Sequence, residues 1–86
     1  MKKKTVILGS TGSIGRSALE VIRRDKKSFD IFLLTANNNY KKLIKQAKQF
    51  KARNVVIKNQ KYYLRVKSLL KKNKTKVYSG NIPLNK

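Results

Sequence analysis

The 86-residue chain is predicted to fold as an α/β protein built on a parallel sheet. Three observations carry that expectation. Short apolar runs alternate with amphipathic stretches, the links between them are short, and a glycine-punctuated turn, "GSTGSIG", joins the first run to the first amphipathic stretch. Strands that are apolar on both faces, joined through helices, call for a parallel sheet, because parallel neighbours need a crossover connection.

The elements follow in order. Residues 4–9, "KTVILG", form a β-branched apolar run that ends at glycine and predict a buried first strand. The stretch "SIGRSALEVIRR" predicts a helix, with Ile14, Ala18, Val21 and Ile22 on its inner face and Arg23 and Arg24 suited to its C-terminus. "DIFLLTA", residues 30–36, is the second strand. In "NYKKLIKQAKQF", residues Tyr40, Leu43, Ile44, Ala47 and Phe50 make one apolar stripe with lysines outside. "NVVIK" (54–58) is the third strand, "QKYYLRVKSLLKKN" (60–73) the third helix and "KVYSG" (76–80) a short fourth strand. The single proline, Pro83, falls in a closing loop. The order β-α-β-α-β-α-β describes one domain over residues 1–86, truncated after about four strands where a doubly wound sheet carries five or six.

Composition bounds the chemistry. A chain this short buries only about 60–65% of its unfolded surface, so its stability is marginal. There is no Cys and no His, which removes thiolate chemistry, the usual neutral-pH base and the commonest metal ligand. The carboxylates are three, Glu20, Asp25 and Asp30, too few and too scattered to hold a hard cation. "MKKK" leads into only "TVIL", too short for a signal-peptide core or a membrane span, so a cytoplasmic protein is expected. The formal net charge of +20 invites a polyanionic partner. The cations are mostly lysines strewn along every segment beside many Asn and Ile, which fits codon bias and a solvated surface. Nucleic-acid interfaces favour arginine and aromatic stacking, and only Tyr62 and Tyr63 are adjacent aromatics. A nucleic-acid partner is not expected.

The glycine turn admits three readings. The triphosphate-binding pattern G-x-x-x-x-G-K-[ST] fails, because Ser10 stands where its first glycine belongs and Arg16 where its lysine belongs. A strand, a glycine turn and a helix in one βαβ unit fit a Rossmann-like dinucleotide site better. Gly9 then permits the tight turn, Gly12 lets the backbone approach a pyrophosphate, and Gly15 lets helix and strand pack closely. Amides at the helix start attract the phosphates, over residues 11–15. The spacing is G-x-x-G-x-x-G where the dinucleotide motif has G-x-G-x-x-G. Ser10, Thr11 and Ser13 offer hydroxyls to phosphate oxygens, although helix capping explains Thr11 or Ser13 as well. A purely structural turn stays open. After the second strand, where NAD enzymes place an acid for the ribose 2′-hydroxyl, stand Asn37, Asn38 and Asn39. Amides add no negative charge and tolerate a 2′-phosphate, which favours NADP over NAD. The same asparagines also suit a turn and a helix cap.

"TVILGSTGSIGRSALEVIRR", "FDIFLLTANNN" and "VYSG" together resemble the amino-terminal domain of the 1-deoxy-D-xylulose 5-phosphate reductoisomerases, over about residues 4–80. The resemblance implies NADPH binding through Thr11, Gly12, Ser13 and Ile14, and through Asn37, Asn38 and Asn39. Many members carry a lysine in the latter segment; here Asn37 and Asn38 depart from that pattern and Asn39 matches it. It also implies conversion of 1-deoxy-D-xylulose 5-phosphate to 2-C-methyl-D-erythritol 4-phosphate in isoprenoid precursor synthesis, with NADPH and a divalent metal, Mg or Mn, in a homodimeric full-length enzyme. The family's metal and substrate residues lie further along its chain, so these residues alone are expected to be inactive. Two other classes stay open: a different NADP-linked oxidoreductase or nucleotide-binding module, and a basic nucleic-acid-binding protein.

Overall fold

The computed structural model describes residues 2–80; the loop expected around Pro83 lies outside them. Four strands, β1 (Lys3–Ile7), β2 (Phe29–Ala36), β3 (Asn54–Ile57) and β4 (Lys76–Ser79), alternate with three helices, α1 (Ser13–Arg23), α2 (Tyr40–Phe50) and α3 (Tyr63–Leu69). All the pairings are parallel and the strand order is β1-β2-β3-β4. The fold is α/β and Rossmann-like, with the expected element order. The third helix is shorter than its sequence pattern suggests: one seven-residue α-helix flanked by 3₁₀ turns at Gln60–Tyr62 and Lys71–Asn73.

Each crossover steps to the next strand in the same direction. Right-handed connections then put every helix on the same face of the sheet. One buried cluster confirms it, joining Ile7, Ile31, Leu34, Val55 and Ile57 of the strands to Leu19 and Ile22 of α1, Leu43 and Ala47 of α2, and Val66 and Leu70 of α3 and the turn after it. The other layer of a doubly wound sheet is not supplied by these helices. On that side Val6 pairs in register with Leu33, and Val56 with Tyr78. Leu33 and Val56 are buried there, whereas Val6 and Leu8 are exposed.

A register irregularity sets which residues of β2 face the helices. Thr5 pairs with Ile31 but Val6 with Leu33, so β2 carries one extra residue, Phe32. The bulge changes the strand's parity and lets Ile31, Leu34 and Ala36 all reach the helix side.

The inner face of α1 differs from expectation. Gly15, Leu19 and Ile22 are buried, with Ala18 packed at the margin. Ile14 is 86% and Val21 66% exposed. Residues 14 and 21 lie two turns apart on the side opposite the sheet, so a stripe drawn through them is helical in spacing but wrong in face. The α2 stripe holds: Leu43, Ile44 and Ala47 are buried, and Tyr40 and Phe50 pack against the core. Tyr62 stacks on Tyr40 with ring centroids 4.6 Å apart, which ties the start of α3 to α2. That ring is part of the packing and is not a free platform for bases.

Candidate functional site

The turn between β1 and α1 contains Gly9 and Gly12, and the first turn of α1 contains Gly15; the three differ in what the backbone asks of them. Gly9 has φ +66, a left-handed backbone that side chains resist. At Gly15, an added Cβ would stand 2.4 Å from the Gly9 carbonyl oxygen and 2.6 Å from Ser10 Cα. The first turn of α1 therefore rests directly on the turn backbone. Gly12 is different. Its backbone is extended (φ −79, ψ 175), and the nearest atom to an added Cβ is the Gly9 oxygen at 3.4 Å. Neither conformation nor neighbours demand glycine at this exposed position, and the space a side chain would fill lies open in front of the helix.

Gly12 is also the N-cap of α1, and no side chain caps the helix. The capping alternative for Thr11 and Ser13 is thereby removed. The Gly12 amide donates to the Gly9 carbonyl at 3.0 Å, and the first helical bond runs from the Arg16 amide to the Gly12 carbonyl. The amides of Ser13, Ile14 and Gly15 belong to the helix's first turn, which has no intrahelical acceptors and no acidic residue. They form the positive end of the helix dipole. Ile14 contributes through its backbone; its side chain stands in solvent.

Ser10 is a correction. Its hydroxyl does not face a ligand: the residue is fully buried, and its Oγ donates to Gln46 Oε1 at 2.7 Å. Gln46 Nε2 donates back to the Ser10 carbonyl at 2.9 Å. Thr35 holds the turn from the other side: its Oγ1 accepts from the Gly9 amide and its carbonyl accepts from the Ser10 amide, both at 2.8 Å. Sequence reasoning missed Thr35 and Gln46. The available signal was a polar residue on the otherwise apolar inner face of α2, one position before Ala47.

Asn37, Asn38 and Asn39 follow β2 directly and are exposed. Because β2 is parallel to β1 and beside it, they lie at the same sheet edge as the glycine turn. Asn39 caps α2, its side chain accepting from the Lys42 amide. Asn38 Oδ1 accepts from Asn59 Nδ2 at 2.8 Å, and the Asn37 carbonyl accepts from the Asn59 amide at 3.0 Å. The turn-and-cap reading is thus realised for Asn39. Among the described residues the Asn37 side chain has no hydrogen-bond partner.

The acids are elsewhere. Asp30 is the second residue of β2, at the opposite end of the strand, and accepts a two-pronged hydrogen bond from Arg53 Nε at 2.9 and 3.0 Å. That bond holds its carboxyl below the usual aspartate range. Glu20 pairs with Arg23 on α1 and is lowered in the same way. Asp25 accepts from the Ser28 hydroxyl. Among the described residues no group of three or more His, Cys, Asp or Glu could hold a metal ion, and no helix is long and apolar enough to cross a membrane.

The sequence pattern of 1-deoxy-D-xylulose 5-phosphate reductoisomerase matches residues 5–86. The chain belongs to that family. The reductoisomerase of Pelagibacter ubique is 51% identical over 84 residues, which cover 98% of this chain and 22% of the relative. That of Phocaeicola vulgatus is 46% identical over 93% of this chain and 21% of its own length. The chain thus spans about a fifth of the length of the reductoisomerases it matches. The solved Zymomonas mobilis reductoisomerase in complex with NADPH superimposes with a TM-score of 0.90 at 34% identity, over 93% of this chain and 21% of that one. A reductoisomerase solved with NADPH, fosmidomycin and magnesium gives 0.85 at 28% identity, over 92% of this chain and 20% of that one.

Proposed function

We propose that this chain is the NADPH-binding portion of a 1-deoxy-D-xylulose 5-phosphate reductoisomerase, residues 1–86 forming one Rossmann-like unit. The observation that carries the reading is Gly12: an N-cap without a capping side chain, open in front, before a helix turn free of acids. Such a helix start attracts a pyrophosphate. The amides of Ser13, Ile14 and Gly15, with that of Thr11, are the donors; the Gly12 amide is spent on Gly9. Gly9 and Gly15 shape the cradle, and the Thr11 and Ser13 hydroxyls border it. NADPH, when bound, supplies the hydride.

Asn37, Asn38 and Asn39 flank the adenosine ribose in this reading, with Asn37 the freest to turn toward a 2′-phosphate. No acid stands there to repel it, and Lys41 and Lys42 open α2 immediately afterwards. Magnesium or manganese and the sugar phosphate are held by residues that the family carries beyond this span. Dimer formation, as a homodimer of the full-length enzyme in the cytoplasm, belongs to the same proposal.

Titration with NADPH, NADH and duplex DNA at two salt concentrations tests it. NADPH should bind more tightly than NADH at about 150 mM salt, where long-range attraction is screened. DNA association should fade steeply with added salt. Equal affinity for the two nicotinamide dinucleotides would refute the assignment of the asparagine segment.

A further inference from the structure

We propose that Gln46 is a positioning residue for the dinucleotide site, acting through Ser10. The inference rests on the NADPH reading above and adds a residue that contacts no part of the ligand. Gln46 sits on α2, 36 positions after Ser10, and is almost fully buried. Its amide makes a reciprocal pair with one residue of the turn, accepting from the Ser10 hydroxyl at 2.7 Å and donating to the Ser10 carbonyl at 2.9 Å. A buried primary amide satisfied in this way is fixed in orientation, since rotating it would leave a donor and an acceptor unpaired.

The consequence for the site follows from peptide geometry. The Ser10 carbonyl and the Thr11 amide share one planar trans peptide, so they point in opposite directions. Gln46 holds the carbonyl toward α2 and thereby aims the Thr11 N–H away from α2. Thr35 fixes the preceding amides, accepting from Gly9 and Ser10. The turn is therefore clamped from β2 and from α2, and its amides are set before any ligand arrives. Preset donors lower the ordering cost of binding.

The test uses Gln46→Leu, which keeps the bulk and removes both hydrogen bonds. Two ligands are titrated against wild type and variant at a temperature where circular dichroism shows both fully folded. NADPH reaches the turn through its pyrophosphate; adenosine 2′-monophosphate has none and reports only on the asparagine edge. Affinity for NADPH should fall by about tenfold while that for adenosine 2′-monophosphate stays within about twofold, since displacing a hydrogen-bonded donor costs on that order. A merely structural role would weaken both ligands alike or neither, and either result overturns the proposal. Should Gln46→Leu fail to fold, Ser10→Ala removes only the hydroxyl and should show the same split at reduced size; unchanged NADPH affinity there also overturns it. Wild type that binds no NADPH would reject the cofactor reading, and this inference with it. Tight wild-type binding with an indifferent Gln46→Leu variant rejects the inference alone.

Discussion

Gly12 and Gly15 are small for different reasons, and substitution separates them. A Cβ at Gly15 collides with backbone that has nowhere to go. Gly15→Ala should lower stability by about 3 kcal/mol, the upper end for overpacking, as read from the urea midpoint. Gly12→Val meets only the Gly9 oxygen, at 3.4 Å for its Cβ. It should keep the helix content and abolish NADPH binding; unchanged affinity would remove the pyrophosphate from this turn. The close packing of helix on turn at Gly15 was legible in the glycine spacing, since it follows from a strand–turn–helix junction. Ser10 was not legible. A hydroxyl between glycines reads as a phosphate ligand until the fold brings Gln46 to it from α2. Asn39 could be read two ways, and its bond to the Lys42 amide makes the cap real.

Elements were easier to read than their faces. The bounds of α1 and α2 fall within about one residue of the sequence pattern, well inside the usual spread of helix ends. The face of α1 did not follow, because that helix carries apolar residues on two sides, and only the packing of Gly15 on the turn selects the side with Leu19 and Ile22. The bulge in β2 had no signal in a strand that is apolar nearly throughout. Between elements, the Asp30–Arg53 pair joins the start of β2 to the loop before β3. Arg53 depresses the Asp30 carboxyl, so the folded form holds its charge at a pH where the unfolded chain has begun to protonate. Its contribution is present above the ordinary aspartate value of about 3.9 and is lost as pH falls through the lower folded value. Thermal unfolding of wild type and Asp30→Asn should therefore differ most near neutrality and converge in acid. A difference that grows as pH falls would show that the pair acts in some other way.

At the scale of the whole molecule, the positive charge governs how the chain meets anions. A formal net charge of +20 repels itself, so moderate salt should stabilise the fold by screening. The same charge attracts any anion weakly and everywhere, so affinity alone is a poor guide to a site. Catalysis is a separate matter. With no His, no Cys and three acids engaged far from one another, the chain should consume no NADPH when mixed with 1-deoxy-D-xylulose 5-phosphate and manganese. Metal-dependent loss of nicotinamide absorbance above a protein-free blank would contradict that. The most direct measurement of where the dinucleotide sits is an NMR titration of the ¹⁵N-labelled chain with NADPH at about 150 mM salt, where diffuse attraction is screened. Amide shifts should concentrate at Thr11, Ser13, Ile14 and Gly15 and at Asn37, Asn38 and Asn39, leaving β4 and Lys67 of α3 unmoved. Shifts spread across the lysine-bearing surfaces, with the glycine turn silent, would contradict it.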